Sequence, residues 1–395
     1  MDIIAGLVFT ISLLAFTALA MQCIYLLIFA LAGHFKSNAA FPPASALGSF
    51  VIYIPAYKED AVILDTAIAA LSLDYPQSKR RVVVIADKLM PATLAALRSM
   101  PLQVVEVAFE QSTKAKALNY AIKQTEGVFD YALILDADNI CSPDFLLRMN
   151  EAMQQGCQVV QGQRVAKNTN TKFAFLDAVS EGVNNHIFRQ GHRALGLSCA
   201  IIGSGFAMQY QLFVSVMDEI KAVGGFDKEM ELRLLRTGVQ VAYATRALVY
   251  DEKAARQANF ENQRRRWLSA QIHYMQRYIA DGFIQLTKGN IDFFDKVVQT
   301  MLLPRALMLG VTSMLFILSL LPGYGLPAVY WLVLCAATFF AVFISIPSQY
   351  FNRQLLSAAL GFPLAFFSMF KLLFKLKGAN KTFIHTAHGD VSSAQ

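Results

Sequence analysis

Asp136-Ala-Asp138 stands directly behind the apolar run Tyr131–Leu135. Two carboxylates separated by one residue at a strand end offer hard oxygen ligands to a divalent cation, and through it to a diphosphate. The other use of these residues is a turn in which Asp138 and Asn139 cap the following helix. Gln263-Arg-Arg-Arg-Trp267 is a second cluster. On a helix Gln263, Arg266 and Trp267 are spaced i, i+3, i+4 and share one face. That face offers an amide, a forked cation suited to phosphate, and a flat ring suited to a sugar. Arg264 and Arg265 then point elsewhere, toward anionic lipid; a wholly lipid-facing basic helix with Trp267 in the interfacial belt is the competing expectation. Lys114-Ala-Lys116-Ala-Leu-Asn119 opens a helix, where free backbone N–H groups and a lysine favour phosphate, or where the lysines are simply solvated. Gly224-Gly-Phe-Asp227-Lys-Glu229-Met-Glu231-Leu232 is a turn followed by an acidic helix start. Acids in a first turn usually pair with the helix dipole, and Glu229 and Glu231 do not share a face.

These groups need a scaffold. Phe50–Pro55, Arg81–Ala86, Gln103–Phe109 and Tyr131–Leu135 read as strands, rich in β-branched residues. They alternate with helical stretches at Ala61 to Leu71, Pro91 to Ser99 and Thr113 to Gln124. Such alternation indicates βαβ units and a mostly parallel sheet. Ligands of such sheets bind at the carboxyl ends of the strands, where Pro55, Asp87 and Asp136 all fall.

The chain has 395 residues, 55% of them hydrophobic and 16% charged, with a net charge of +7. That length suits one large catalytic domain plus membrane elements, or two modest domains. The basic residues cluster beside apolar segments, so lipid headgroups and a phosphorylated substrate explain them better than nucleic acid. Five cysteines without a C-x-x-C spacing argue against a zinc site or a disulfide framework and for a reducing compartment. Ile3 to Ala32 carries no charge and a single central polar residue, Gln22; it is expected to anchor the chain in a membrane. A cleaved signal peptide ending near Ala18-Leu-Ala20 is the alternative, against which stand Asp2 and the continuing apolar run. His34 and Lys36, just beyond this segment, place the middle of the chain in the cytoplasm, at a bacterial inner membrane in the expected case. The expected plan is an anchor at 1–36, a cytoplasmic catalytic domain at 48–280 and interfacial amphipathic helices at 281–305. Membrane helices at 306–376 and a cytoplasmic tail at 377–395 complete it. Ala306 to Leu321 and Ala328 to Ile346 read as spans. Leu355 to Leu376, broken by Gly361-Phe-Pro363, reads as re-entrant or interfacial.

Taken in order, these residues resemble the membrane-embedded branch of family 2 glycosyltransferases, which have the GT-A fold. The branch includes cellulose, chitin and hyaluronan synthases and ceramide glucosyltransferase. Pro55-Ala-Tyr57-Lys-Glu59 resembles the opening P-x-Y-x-E, whose tyrosine and glutamate contact the nucleotide. Asp87 matches the aspartate that reads uracil, and Lys114 to Asn119 resembles the K-x-x-x-L-N segment whose lysine touches the donor. Asp136 and Asp138 match the metal-binding D-x-D, and Gln263, Arg266 and Trp267 match Q-x-x-R-W. Gly203-Ser-Gly205 resembles a small-residue loop beside the acceptor. Phe383-Ile-His385-Thr386-Ala-His388 resembles the gating loop that covers the nucleotide, with Thr386 as a contact and His385 and His388 in place of valine and lysine.

The resemblance implies an α/β GT-A domain flanked by transmembrane and interfacial helices, and an inverting transfer from a UDP-sugar. Mg²⁺ or Mn²⁺ would be held by Asp138 and Asp136. Catalysis would rest on Glu229, Arg266 and Asp136, with Glu229 standing where the T-E-D base motif usually has aspartate and Asp227 as the other candidate. The acceptor is expected to be a growing β-linked polysaccharide. A lipid or lipid-linked acceptor is the rival, and a catalytically silent transporter or scaffold is a reading from another class. An export partner or a second copy of the chain would supply missing channel helices.

Overall fold

A computed structural model describes residues 3–35, 41–222, 224–253, 257–321 and 325–373. Helix α1 (Ile3–Ala32) precedes β1 (Phe50–Tyr57), α2 (Ile63–Leu71), β2 (Arg80–Asp87), α3 (Pro91–Arg98), β3 (Gln103–Val107), α4 (Lys114–Gln124) and β4 (Tyr131–Ile134). Next come β5 (Ile140–Cys141), α5 (Phe145–Gln154), β6 (Val159–Ala166) and α6 (Lys172–Asn184). A π-helical segment, Asn185–Gly191, leads into α7 (His192–Ala194), β7 (Phe206–Gln209), α8 (Tyr210–Glu219), α9 (Phe226–Arg236) and β8 (Val241–Asp251). Six helices complete the order: α10 (Gln257–Thr287), α11 (Ile291–Met301), α12 (Arg305–Ser319), α13 (Ala328–Ile344), α14 (Arg353–Ala359) and α15 (Phe362–Leu373).

The strands form one eight-stranded sheet in the order β3-β2-β1-β4-β7-β6-β8-β5. Its first four strands are parallel, as the βαβ pattern requires. The other half is mixed: β7 runs antiparallel to both β4 and β6, and β6 pairs in parallel with β8. β1 alternates between two cores. Val51 and Tyr53 pack with Val83, Ile85 and Ile134 on one face, while Phe50, Ile52 and Ile54 pack with Val82, Val84 and Leu133 on the other. Burial on both faces explains the unbroken apolar run in the sequence.

Helix α1 is long and apolar enough to cross a bilayer. One face of it, including Leu19, Cys23, Leu26 and Phe29, is buried with Trp331 and Leu334 of α13 and Ile187 of the π segment. Gln22, the polar residue within it, pairs reciprocally with Leu303: its amide donates to the Leu303 carbonyl at 2.8 Å and accepts from the Leu303 N–H at 3.0 Å. It thereby satisfies backbone exposed at the bend between α11 and α12, which measures 58°. Gly191 lets α1 approach closely, since a Cβ there would stand 2.2 Å from the Phe29 carbonyl oxygen.

Helix α11 occupies the place of the expected interfacial helix. In α11 the charged side chains turn inward: Asp292 accepts from the Ser198 N–H at 2.8 Å, Asp295 from the Tyr25 hydroxyl at 2.7 Å, and Lys296 lies 3.7 Å from Glu231. Phe293 and Val297 join the sheet's core. The two expected spans are helices of 15 and 17 residues, α12 and α13. Each is shorter than the ~20 residues that cross a bilayer unaided. The break expected at Gly361 separates α14 from α15. Phe383 to His388, with Thr386, lies outside the described residues.

Candidate active site

The carboxyl ends of the parallel strands open into one cleft of about 1470 Å³, lined by Pro55, Tyr57, Glu59, Asp87, Lys114, Asp136, Asp138, Asp227, Gln263, Arg266 and Trp267. Parallel register sets Tyr57 beside Asp87. The residues after them, Lys58 and Lys88, both take left-handed backbone (φ 56° and 57°), and each ammonium lies 5.5 Å from the Tyr57 ring. Backbone outliers of this kind gather at ligand clamps, where the surrounding fold holds them. Asp87 is 3% exposed, and its Oδ1 has no hydrogen-bond partner among the described residues. Burial pushes its carboxyl above the usual range. An orphaned acceptor at this place fits the ring N–H of a nucleobase.

Thr113 caps α4 by accepting from the Lys116 N–H at 3.2 Å, which aims the first residue, Lys114, into the cleft. Lys114 pairs with Asp136 and donates to the Gly203 carbonyl at 2.7 Å. The Asp136 N–H donates to Ser204 Oγ at 2.9 Å, and Ser204 donates in turn to Asn139. Asn139 bridges the Asp138 and Asp251 carboxylates, at 3.2 Å to each. Asp138 is 5% exposed on the cleft wall. The chemistry of this donor set fits Mg²⁺ or Mn²⁺, because hard cations that keep waters and phosphate oxygens need only one or two carboxylates.

Gly203 and Gly205 require left-handed backbone (φ 75° and 63°), and a Cβ on Gly203 would meet Asp227 Oδ2 at 3.4 Å. The loop therefore lies directly against Asp227, near the start of α9. Burial pushes the Asp227 carboxyl up, opposed by Lys228 and Lys114. Arg266 is drawn below its ordinary value by burial and pulled back by Asp136 and Asp227 together, so one guanidinium senses both acids.

Glu229 does not line this cleft. It is 3% exposed and accepts from Arg233 at 2.9 and 3.0 Å and from Arg277 at 3.3 Å. Two residues along a helix is a turn of about 200°, so the acid that faces the glycine loop cannot share its direction with the one two positions on. Arg264 also departs from expectation: it lines the cleft, pairs with Asp177 of α6 and stacks 4.7 Å over the Trp267 ring. Gln263 keeps a buried Oε1 that has no hydrogen-bond partner among the described residues.

Sequence reasoning missed the network behind Asp138. Arg164 bridges Glu181 at 2.8 Å and Asp251 at 3.8 Å, while Arg189 reaches Glu181 at 2.9 Å and Lys253 reaches Asp251 at 2.7 Å. Burial alone would raise the Glu181 carboxyl, but Arg164, Arg189 and Lys253 hold it well below its ordinary value. Its members come from β6, α6, the π segment and the end of β8, so no spacing in the sequence marks them.

A mixed sheet whose parallel half ends in this acidic, arginine-bearing cleft defines a GT-A glycosyltransferase domain. The chain belongs to the glycosyltransferase-like family 2, whose model matches residues 48–270. It is 27% identical over 244 residues to a cellulose synthase catalytic subunit [UDP-forming] of Komagataeibacter sucrofermentans, covering 56% of this chain and 30% of that one. It is 22% identical over 265 residues to the probable glycosyltransferase YdaM of Bacillus subtilis, 61% of this chain and 59% of that one. The chain thus spans less than a third of the cellulose synthase relative it matches. Among solved structures, the mannosyltransferase PcManGT of Pyrobaculum calidifontis, in complex with GDP-Man and Mn2+, superposes with a TM-score of 0.53 at 17% identity, over 93% of this chain and 96% of that one.

Proposed function

We propose that this protein transfers a sugar from a UDP-sugar to an acceptor hydroxyl at the inner face of a membrane, with inversion at the anomeric carbon. The observation that carries this reading is the single cleft in which Asp87, Asp136, Asp138, Asp227 and Arg266 share one wall system. The UDP-forming relative and the orphaned Asp87 oxygen support uridine. Pro55, Tyr57, Glu59 and Asp87 hold the nucleoside. Asp138, with Asp136 beside it, would hold Mg²⁺ or Mn²⁺, which when bound supplies positive charge to the leaving diphosphate; the Mn2+ in the Pyrobaculum neighbour supports this choice. Arg266 and Lys114 add fixed positive charge where the leaving oxygen becomes anionic. Asp227, not Glu229, takes the acceptor's hydroxyl proton, and burial makes its carboxylate a better base. The freed oxygen attacks the anomeric carbon as its bond to UDP breaks. Trp267 and Gln263 hold the acceptor in line.

A polysaccharide acceptor is suggested by the Q-x-x-R-W resemblance. A lipid-linked acceptor is favoured by a different observation, the continuation of the cleft between the membrane-side helices. UDP release from UDP-glucose, UDP-galactose and UDP-N-acetylglucosamine by the purified protein with Mn²⁺ tests the reading. A donor that drives release is expected; the proposal fails if none does while GDP-mannose releases GDP.

A further inference from the structure

The cleft is larger than a donor requires. Small-molecule sites run to roughly 300–1,000 Å³, against about 1470 Å³ here. Its lining also includes Leu176 and Val183 of α6, Leu309 of α12, Phe339 and Phe343 of α13 and Leu355 of α14, which form an apolar arm. Where the polar and apolar parts join stands Arg305, the first residue of α12. One turn along α6 from the Asp177 that holds Arg264, its guanidinium donates to the Ser180 carbonyl at 3.0 Å, the Ser180 hydroxyl at 3.1 Å and Asn184 Oδ1 at 2.7 Å. These partners are neutral. Among the described residues no carboxylate comes within ion-pair distance of Arg305, and nearby Glu181 is already committed to Arg164 and Arg189. A guanidinium oriented by three neutral acceptors, at the edge of an apolar arm, carries charge that an anionic ligand group would neutralise.

We infer that Arg305, at this junction, binds the phosphate of an anionic lipid acceptor, its hydrocarbon chain lying in the apolar arm and its head-group hydroxyl directed to Asp227. The inference rests on the transferase reading and names its acceptor. A bare polysaccharide offers neither the charge nor the hydrocarbon that this part of the cleft is built to receive. The chemical step is the one already given: the lipid's hydroxyl loses its proton to Asp227, its oxygen bonds to the anomeric carbon, and UDP leaves.

The test uses the intact protein in detergent micelles with three probes: farnesyl phosphate, farnesol and inorganic phosphate. Farnesyl phosphate is expected to bind about tenfold or more tightly than farnesol, as loss of one charge-assisted contact implies, and inorganic phosphate least of all. Arg305→Ala should bring farnesyl phosphate to the farnesol level while leaving UDP binding with Mn²⁺ unchanged, and Arg305→Lys should recover part of the difference. Equal binding of farnesyl phosphate and farnesol, or indifference to Arg305→Ala, overturns the inference. So does lipid binding that emerges only after residues 374–395 are removed, which would assign the arm to the chain's own tail. UDP binding with Mn²⁺, measured in the same samples, separates the two readings. Its loss from the wild-type protein sinks sugar transfer, whereas its retention with no lipid binding sinks the acceptor assignment alone.

Discussion

Exchanging Asp227 for asparagine keeps the side chain's shape against Gly203 and removes only its ability to take a proton. A placed general base contributes about 10²–10⁴-fold to the rate, which at ~1.36 kcal/mol per decade is roughly 2.7–5.4 kcal/mol of barrier. Stability should move the other way. Burial raises the Asp227 carboxyl in the folded chain, so its stabilising contribution is present below the unfolded value and lost as pH rises through the folded one. At neutral pH the ionised group is a net cost, and Asp227→Asn should melt at the same temperature as wild type or higher, with the gain gone below about pH 4. Glu229→Gln makes the opposite pair of changes. It removes the negative charge facing Arg233 and Arg277, whose side chains are 23% and 45% exposed, so solvent softens the loss. The expected cost is about 1–3 kcal/mol, or about 2–4 °C per kcal/mol for a domain of this size. Donor-stimulated UDP release and a melting curve, run on both variants, decide it. Wild-type turnover in Asp227→Asn, or abolished transfer with an unchanged melting temperature in Glu229→Gln, refutes the assignment of the base.

Arg266→Lys retains a charge but loses the planar fork, and should lower kcat by about 10²–10³ with little change in UDP affinity by calorimetry. Asp138→Asn should weaken UDP binding in Mn²⁺ by about tenfold or more and have little effect in EDTA; equal effects in both buffers would exclude it from the cation site. Glu231 offers an acid-stability test: burial raises its carboxyl, but Lys228 and Lys296 outweigh burial and hold it low. Its stabilisation is therefore full above the unfolded value and is lost as pH falls through the lower folded one. Wild-type protein should lose melting temperature more steeply below about pH 4.5 than Glu231→Gln, which starts lower.

The parallel half of the sheet was legible because each of its strands is an apolar β-branched run succeeded by a helix with its own amphipathic spacing. The GT-A resemblance was legible in the ordered motifs from Pro55 to Trp267, and the fold bears it out. The mixed half was not: β5 has two residues and β7 four, too short to show a period, and their pairing is fixed by contacts far apart in sequence. Motif alignment pointed to Glu229, but which acid of α9 faces the cleft is set by where the helix starts, at Gly225, and that is a tertiary fact. The partners of the α11 charges were hidden for the same reason. Nothing in Asp292, Asp295 or Lys296 announces that Ser198, Tyr25 and Glu231 will meet them.

The contact between Gly191 and Phe29 bears on how this protein can be handled. Glycine at that crossing lets the N-terminal helix lie flush on the segment that supplies Arg189 to the buried ion network behind Asp138. Excising residues before 41 to obtain a water-soluble enzyme would strip a wall from that segment and bare its apolar side. Biochemists should expect such a fragment to aggregate or to lose its grip on the donor, and would do better to purify the protein whole.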